Sequence, residues 1–304
     1  MTTSYSASHS ATRRDWWEAS RPHTWANAWA PVIVGTGAAA FAGGAHFGRA
    51  LLALIVAWAL IIGVNFSNDY SDGVRGTDSD EAGRTGPTRL TGSGLANPKD
   101  VKRAALISFG VAAVAGIVLS LWSAWWFILV GAACIAGAWF YTGGKNPYGY
   151  RGLGEIAVFI FFGLVAVLGT EYTQAGSISW VGVAAAVGIG AISASVNMAN
   201  NIRDIPSDSA TGKKTLAVRL GERNARRLFA AFSIVPFVMS LLIAAAYLPA
   251  LIGLIALPLA LQGAITVLKG ARGKDLIPVL SINGKAMLVW AIATTVALFF
   301  GALN

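Results

Sequence analysis

Residues 65–94 read NFSNDYSDGVRGTDSDEAGRTGPTRLTGSG, and residues 200–221 read NNIRDIPSDSATGKKTLAVRLG. Each segment follows an apolar run and begins with an asparagine that has an aspartate four residues later, so the two side chains share one helix face. This spacing occurs in Asn65 and Asp69, in Asn68 and Asp72, and in Asn200 and Asp204. A further carboxylate follows at Asp78 or Asp208. The two segments therefore predict a matched pair of polar helix ends.

The composition around these segments indicates a polytopic membrane protein. Hydrophobic residues make up 55% of the 304 residues and charged residues only 12%, whereas soluble domains carry about a quarter charged residues. The apolar stretches are continuous and do not alternate, which argues against a membrane β-barrel. The single cysteine, Cys134, excludes a disulfide within the chain. The predicted fold class is an all-α integral membrane protein.

Nine stretches are apolar over about the 20 residues that a transmembrane helix needs. They cover residues 24–44, 47–67, 103–121, 123–142, 155–173, 179–200, 227–246, 248–268 and 285–303. Residues 1–14 are polar and rich in Ser and Thr, and we expect them to be a disordered cytoplasmic tail. Residues 15–304 are expected to form one bundle of nine transmembrane helices. The two aspartate-rich segments follow spans 2 and 6, and the four helices from one to the other bring both to the same side.

The orientation follows from the basic residues, because positively charged loops are retained in the cytoplasm. With the N-terminus inside, all but one of the 23 Lys and Arg residues fall on the cytoplasmic side, the exception being Arg49. Of the 14 acidic residues, only Glu171 falls on the opposite side. We therefore expect a multi-pass protein of the cell inner membrane, with both aspartate-rich segments in the cytoplasm and the C-terminus on the opposite side.

The two polar segments predict a magnesium and phosphate site. Converging carboxylates and carboxamides, without His or Cys, are hard oxygen ligands that suit Mg²⁺ and disfavour Zn²⁺. Magnesium is usually shared with substrate phosphates, and nearby guanidinium and ammonium groups can bind the same phosphates. The cations expected beside these carboxylates are Arg75, Arg84, Arg89, Lys145, Arg203, Lys213 and Lys214.

A membrane enzyme with such a site is suited to a lipid diphosphate, with its tail among the apolar helices and its head at the cytoplasmic end. Mg²⁺ and the basic side chains would neutralise the charge that develops on the departing diphosphate. An electron-rich second substrate would then capture the allylic cation, which aromatic rings can stabilise. The aromatic candidates at a suitable depth are Trp139, Phe140, Tyr141, Tyr148, Phe159 and Phe162.

The residues resemble those of the UbiA-type membrane prenyltransferases. The resemblance is carried by RPHTWANAWAPVIVGTGAA at 21–39, by the two aspartate-rich segments and by YTGGKNPYGYRGLGE at 141–155. Within that family the chain is similar to members that prenylate 1,4-dihydroxy-2-naphthoate in menaquinone biosynthesis. The resemblance implies transfer of a polyprenyl group from polyprenyl diphosphate to this acceptor, with loss of CO₂ and diphosphate, giving demethylmenaquinone.

The resemblance also implies which residues form the site. Two Mg²⁺ ions would be positioned on the diphosphate by Asn65, Asn68, Asp69, Asp72, Asn200, Asp204 and Asp208. Tyr141 and Lys145 match a Tyr/Lys motif whose lysine, in the family, contacts the diphosphate or the first aspartate segment. Gly76 stands where many members have the last aspartate of the first motif, and Asp78 could supply that ligand instead.

A carboxylated acceptor requires a cation near its ring, and the sequence offers Arg151 as the candidate. Glu155 could orient Arg151 or act as a base. Each residue also has a simpler interpretation that involves no substrate. At the start of a helix, Arg151 would set the topology and Glu155 would interact with the helix dipole. Membrane lipid is the expected surrounding, no nucleic-acid partner is expected, and a homo-oligomer is left open.

Three other functions remain open from the sequence. A UbiA-type enzyme could use another acceptor, such as 4-hydroxybenzoate, haem, a chlorophyllide or phosphoribose diphosphate. A cation-coupled transporter would have its site near the bilayer midplane, often in inverted repeats, whereas these acids lie at helix ends in parallel repeats. A CDP-alcohol phosphotransferase would need an Ala-Arg pair and a Gly-x3-Asp-x3-Asp sequence, and neither follows Asp69 and Asp72.

Overall fold

The computed structural model describes residues 11–77, 89–245 and 247–302. These residues form helices joined by turns, and no β-strand occurs among them. The helices are α1 (Arg13–Ala19), α2 (Ala26–Phe41), α3 (Phe47–Arg75), α4 (Pro98–Trp122), α5 (Phe127–Phe140), α6 (Gly154–Ala175), α7 (Trp180–Arg203), α8 (Ile205–Ala210), α9 (Leu216–Ala244), α10 (Leu248–Leu268) and α11 (Ile277–Gly301). Short 3₁₀ turns lie at Pro22–Thr24, Tyr148–Arg151 and Gly273–Leu276. Within the longer elements, α6 is π-helical over Phe159–Leu168, and α10 begins as a 3₁₀-helix over Leu248–Ala256.

Seven helices in these ranges are long and apolar enough to cross a membrane, namely α3, α4, α6, α7, α9, α10 and α11. Helices α2 and α5, with 16 and 14 residues, lie within the two other predicted spans. Large apolar side chains remain exposed along the outside of the bundle, as on α4, where Val114 is 66% exposed. Lipid is the solvent that such a surface requires. The chain is an all-helical, multi-pass membrane protein.

Several helices extend beyond the predicted apolar spans. Helix α3 continues to Arg75, so the first polar motif is helical and not a loop. Helix α9 begins at Leu216, and Gly221 interrupts it with a φ of 73°. Helix α11 begins at Ile277, eight residues before the predicted span. It includes the polar residue Asn283, which is fully buried and donates hydrogen bonds to serines of α7 and α9.

Helix α1 begins within the stretch that was expected to be a disordered tail. Thr12 caps the helix, because its side chain accepts a hydrogen bond from the Asp15 amide while the Asp15 carboxylate accepts from the Thr12 amide. This reciprocal arrangement satisfies two of the amides that a helix start leaves without partners. Arg13 and Arg14 are therefore helical, and residues 1–10 of the expected tail lie outside the described ranges.

Helix α7 is the most buried of the seven long apolar helices, and it packs against α6 and α9. Helix α2 packs against α11, while α3 packs against α4. Helices α6 and α7 approach closely at Gly163, where an added Cβ would lie 2.5 Å from the Gly190 Cα and 2.7 Å from the Ala186 oxygen. Small residues permit this close packing of backbones in lipid, where the hydrophobic effect does not bring helices together.

Arg49 and Glu171 lie at the end of the bundle opposite to the polar motifs. Arg49 begins the first turn of α3, about 35 Å along the helix from Asp72 at 1.5 Å per residue. Its guanidinium donates to the backbone carbonyls of Thr173 and Trp122. Glu171 is fully buried and accepts hydrogen bonds from the Ser179 amide and hydroxyl. Arg49 and Glu171 are thus each hydrogen-bonded by polar groups at the same end of the bundle.

Candidate active site

A polar cavity of about 100 Å³ lies between the C-terminal ends of α3 and α7 and the short helix α8. Asparagine, aspartate and basic side chains dominate its wall. The charged or carboxamide-bearing residues that line it are Arg21, Asn68, Asp72, Arg89, Asn197, Asn200, Asn201, Arg203, Asp204, Asp208 and Lys213. The structure therefore brings the two aspartate-rich segments together around one cavity, as the repeat in the sequence predicts.

Asp72 projects from the last turns of α3 and is 5% exposed. The Tyr150 hydroxyl donates to its Oδ1 at 2.7 Å, and the Arg89 guanidinium lies 3.8 Å from its Oδ2. Burial and the Asp72 charge both raise the pKa of Tyr150, so this hydroxyl stays protonated and remains a donor. The carboxylate of Asp72 is therefore held in a fixed orientation beside a cation.

The second segment supplies two carboxylates from a break between helices. Helix α7 ends at Arg203, and Pro206 in the first turn of α8 fits a new helix start, because proline lacks the amide that a continuing helix needs. Asp204, at the break, accepts two hydrogen bonds from the Arg203 guanidinium, each at 2.7 Å. Asp208 lies 3.4 Å from the Lys213 ammonium. Each carboxylate thus has a cation beside it.

Asp208 is a buried carboxylate with one oxygen that no donor among the described residues reaches. Burial, opposed by Lys213 and supported by the charges of Asp204 and Asp72, raises the pKa of Asp208 to about 6. Its Oδ2 is buried and has no hydrogen-bond partner in the described part of the chain. A buried carboxylate oxygen without a donor has a large desolvation cost. The site therefore has an unsatisfied oxygen that a cation would stabilise.

The donor set fits a divalent ion that is shared with a phosphate group. Within residues 11–77, 89–245 and 247–302, no three His, Cys, Asp or Glu side chains are close enough to hold a metal ion by themselves. The cavity instead offers Asp72 from the first segment and Asp204 and Asp208 from the second, with Asn68 and Asn200 beside them. Mg²⁺ is commonly bound by one or two carboxylates with water and substrate phosphates completing its octahedron. The residues present fit that mode of binding.

An apolar cavity of about 180 Å³ adjoins the polar one. Five residues line both cavities, namely Arg21, Asn68, Tyr141, Asn197 and Asn200. The Tyr141 hydroxyl donates to the Asn197 Oδ1 at 3.2 Å. The remaining wall consists largely of aliphatic side chains with the aromatic rings of Tyr148, Phe161 and Phe162.

A third cavity, of about 130 Å³ and almost wholly apolar, continues from the second. The two apolar cavities share Ala57, Leu60, Cys134, Phe161 and Ala166. The third cavity extends past Leu119 and Thr173, which lie towards the end of the bundle that carries Arg49. The molecule therefore contains a row of adjoining cavities that changes from polar to apolar along the bundle.

The structure brings together most, but not all, of the predicted site residues. Those that line the polar cavity are Asn68, Asp72, Arg89, Tyr141, Asn200, Arg203, Asp204, Asp208 and Lys213. Asn65 lines only the apolar cavity, and Asp69 lines neither. The Asp69 carboxylate instead accepts hydrogen bonds from the backbone amides of Leu90 and Thr91. Arg84 and Asp78 lie outside the described residues.

The other predicted cations lie away from the cavities. Arg75 donates to the carbonyls of Thr142 and Gly144 and so holds the turn after α5. Lys145, Arg151 and Lys214 are exposed and line none of the three cavities. The sequence predicts diphosphate binding for Lys145 and Lys214 and acceptor binding for Arg151, whereas the structure places none of these side chains at the walls of the three cavities.

Glu155 lies behind the wall of the polar cavity and lines none of the three cavities. It is 2% exposed, and its Oε1 accepts a hydrogen bond from Asn201 at 2.6 Å. Because Asn201 lines the cavity, Glu155 holds a wall residue and does not itself reach the interior.

Sequence reasoning missed three residues of the site. Arg21 lines both the polar and the apolar cavity, and Asn201 lines the polar one. Tyr150 supports Asp72 through its hydroxyl. The RPHT stretch at 21–24 and the double asparagine at 200–201 carry a weak signal for the first two. Tyr150 has none, because its role depends on how the turn after α5 folds onto α3.

The chain matches the UbiA prenyltransferase family over residues 28–292 and belongs to that family. It is a membrane prenyltransferase. The chain is 56% identical, over 95% of its length and 98% of the relative's, to 1,4-dihydroxy-2-naphthoate octaprenyltransferase of Mycobacterium tuberculosis. A second relative of the same description, from Escherichia coli, is 41% identical over 71% of each chain.

The fold also matches a solved structure. The chain superposes on a UbiA homolog from Archaeoglobus fulgidus, solved with DMAPP and Mg²⁺, with a TM-score of 0.64 over 94% of this chain and 99% of that one. The sequence identity is 15%, so this likeness concerns the fold alone.

Proposed function

We propose that this protein transfers a polyprenyl group from polyprenyl diphosphate to 1,4-dihydroxy-2-naphthoate, with loss of CO₂ and diphosphate, in menaquinone biosynthesis. The observation that carries the proposal is the adjacency of the cavities. A polar cavity with carboxylates and cations adjoins an apolar cavity, and five residues line both. A prenyl diphosphate has the same division into a charged head and an apolar tail. The description of the relatives supports the choice of acceptor.

The diphosphate head would lie in the polar cavity. Arg89 and Lys213 line it from two sides and can donate to phosphate oxygens. Their present carboxylate neighbours, Asp72 and Asp208, lie 3.8 and 3.4 Å away, at the long end of ion-pair geometry. An incoming phosphate group could therefore compete with these carboxylates for the two cations.

The proposed metal ligands are Asn68, Asp72, Asn200, Asp204 and Asp208, all of which line the polar cavity. Mg²⁺, proposed as two ions, would supply neutralisation of the charge that develops on the leaving diphosphate. The orphaned Oδ2 of Asp208 supports an ion on that side of the cavity. Asp72 supports one on the other, because Tyr150 fixes only its Oδ1.

The tail would extend through the two apolar cavities, past Ala166 and Phe161, which line both. The reacting carbon would then lie at the junction, beside Tyr141 and Asn197. The carbon–oxygen bond breaks with its electron pair leaving on the diphosphate. The ring carbon that bears the carboxylate forms the new carbon–carbon bond, and the electrons of the carboxylate bond return to the ring as CO₂ departs.

The topology proposed for the chain has nine spans in one bundle of residues 15–304, with α2 and α5 as the two short ones. Helices of 16 and 14 residues reach about 24 and 21 Å, less than the roughly 30 Å hydrocarbon core. The flanking turns would complete these spans. The distribution of Lys and Arg supports a cytoplasmic N-terminus and site, with the C-terminus opposite.

The test is an assay of the purified chain in detergent with Mg²⁺, a polyprenyl diphosphate and either 1,4-dihydroxy-2-naphthoate or 4-hydroxybenzoate. Product mass, CO₂ and inorganic diphosphate are measured together. We expect a prenylated naphthoquinol, with one CO₂ and one diphosphate released per product. Prenylation of 4-hydroxybenzoate alone would overturn the acceptor, and absence of diphosphate release with either acceptor would overturn the reaction.

A matched pair of variants ties the reaction to the polar cavity. Asp72→Asn removes a carboxylate that lines the cavity and should lower kcat/KM at least 100-fold. Asp100→Asn removes the same charge from the exposed first turn of α4, outside all three cavities, and should leave the rate within about twofold. Equal effects of the two substitutions would contradict the placement of the chemistry.

A further inference from the structure

The cytoplasmic end of α3 presents two different polar faces. Asn68 and Asp72, four residues apart, line the polar cavity. Asn65 and Asp69 are also four residues apart. Because successive helix positions differ by about 100°, this pair lies on the helix face beside the one that carries Asn68 and Asp72. The side chains of the second pair hydrogen-bond to backbone segments of other parts of the chain. The two faces therefore have different partners.

Asp69 binds the turn that follows residue 88. Its side chain is 1% exposed, its Oδ2 accepts the Leu90 amide at 2.9 Å, and its Oδ1 accepts the Thr91 amide at 2.8 Å. The neighbouring residue Arg89 is 7% exposed and lines the polar cavity. Charge-assisted bonds from two consecutive amides fix the backbone at the point from which the Arg89 side chain leaves it.

The same helix face approaches this turn one helical turn further on. Gly73, four residues after Asp69, lies so close to Thr91 that an added Cβ would collide with the threonine side chain. Helix α3 and the turn at 89–92 are thus in direct backbone contact. The Asp69 bonds set the register of this contact.

Asn65 plays the corresponding part for the segment before α2. Its Nδ2 donates to the Ser20 oxygen at 2.9 Å and to the Thr24 hydroxyl at 3.0 Å. Arg21 lies between these two anchors, has a φ of 54° and lines both the polar and the apolar cavity. Left-handed backbone is unfavourable for a residue with a Cβ, so it persists where surrounding bonds hold it.

We propose that Asn65 and Asp69 are positioning residues that hold two arginine-bearing backbone segments at the polar cavity, while Asn68 and Asp72 face the substrate. In this arrangement Asp69 acts on the diphosphate through Arg89, and Asn65 acts through Arg21. The inference rests on the proposed diphosphate chemistry. The proposal divides the first polar motif into ligands on one helix face and residues that hold backbone segments in place on the other.

The alternative role for Asp69 is that of a metal ligand, and the two roles predict different kinetics. A metal ligand contributes to the reaction by binding Mg²⁺, so its replacement should raise the Mg²⁺ concentration needed for half-maximal rate. A positioning residue contributes by holding Arg89 in place, so its replacement should raise the KM for prenyl diphosphate. If Asp69 acts through Arg89, replacing both residues should raise the KM little more than replacing Arg89 alone. The free-energy effects of residues that act through one another are not additive.

The experiment is a double-mutant cycle on the full chain with Asp69→Asn, Arg89→Ala and the combined variant. A carboxamide can accept through only one atom, so Asp69→Asn loses one of the two amide bonds, and the KM for prenyl diphosphate should rise about tenfold. The combined variant should be within about threefold of Arg89→Ala alone. Half-saturating Mg²⁺ should stay within twofold for Asp69→Asn, whereas Asp72→Asn should raise it.

Hydrogen exchange of the peptide that contains Leu90 and Thr91 provides a measurement that does not depend on activity. These two amides should exchange faster in Asp69→Asn than in the wild type, and no faster in Asp72→Asn. Should Asp69→Asn fail to fold, Asp69→Glu takes its place in the cycle and in the exchange experiment, because it keeps two acceptor oxygens but displaces them.

Multiplicative effects of Asp69 and Arg89, together with a raised requirement for Mg²⁺, would overturn the proposal and make Asp69 a metal ligand. Unchanged exchange at Leu90 and Thr91 would also overturn it. A wild-type chain without prenyl transfer would refute the proposed function instead, and the exchange result would still decide whether Asp69 holds the turn.

Discussion

Replacing Gly163 by alanine tests the close contact between α6 and α7. The added Cβ would lie 2.5 Å from the Gly190 Cα and 2.7 Å from the Ala186 oxygen, whereas carbon atoms pack at about 3.5–4.0 Å. Both neighbouring atoms are backbone atoms of α7, so a change of side-chain rotamer cannot relieve the overlap. The two helices must separate by about 1 Å at this point.

Overpacking of this kind typically costs about 1–3 kcal/mol. At roughly 2–4 °C per kcal/mol for chains of 150–250 residues, the melting temperature should fall by about 2–12 °C. Because Phe161 and Phe162 lie on the same stretch of α6 and line the apolar cavity, the KM for prenyl diphosphate should rise as well. The change of helix packing and the change of substrate binding should appear together.

The assay is thermal unfolding of the purified protein in detergent, followed by intrinsic fluorescence of its 11 tryptophans. Gly110→Ala is the matched control, because Gly110 is exposed on α4 and an added Cβ there meets no atom within 4 Å. Alanine favours a helix by up to about 1 kcal/mol over glycine, so this control should melt at the wild-type temperature or slightly above. A Gly163→Ala protein that melts within 1 °C of the control, on the order of a fraction of a kcal/mol, would refute the packing argument.

Three further predictions concern the polar cavity. Lys213→Ala should raise the KM for prenyl diphosphate about 10- to 100-fold, because a charged hydrogen bond is worth about 1.5–3 kcal/mol. Replacement of the exposed Lys145 by alanine should change this KM less than about threefold. A larger effect of Lys145→Ala than of Lys213→Ala would contradict the assignment of Lys213 to the diphosphate. Asp204→Asn should lower kcat at least 100-fold with thermal unfolding unchanged within a few degrees, since Asp204 is a proposed ligand; a near-normal kcat would remove it from the site. EDTA should abolish turnover and added Mg²⁺ should restore it, as measured by diphosphate release, and turnover that persists in metal-free buffer would contradict the metal requirement.

The helical architecture could be predicted from the sequence because hydropathy alone separates the spans. Each of the nine apolar stretches coincides with a helix, and the ends differ where polar residues continue a helix beyond the apolar run. Asn283 is an example, since it is buried between helices and so interrupts the pattern without interrupting the helix. Hydropathy records which residues prefer lipid, and it carries no information on polar groups that satisfy one another inside a bundle.

The site was predictable in composition but not in detail. Spacing of three and four placed Asn65, Asn68, Asp69 and Asp72 on one broad stripe, and the packing of two other backbone segments against part of that stripe divides it. Lys145 and Tyr150 show the same limit, because they belong to one turn after α5 and only the folded turn decides which side chain meets Asp72. Periodicity gives the direction of a side chain relative to its own helix, while its partner depends on contacts between distant segments.

The row of cavities also bears on how the proposed reaction would end. The two products differ in solubility, since inorganic diphosphate belongs in water and a prenylated quinol belongs in lipid. The polar cavity lies at the end of the bundle with the basic residues, and the apolar cavities lie among helices whose outer faces are apolar. Each product would thus be formed already facing the phase into which it partitions, and neither would have to pass the other on its way out.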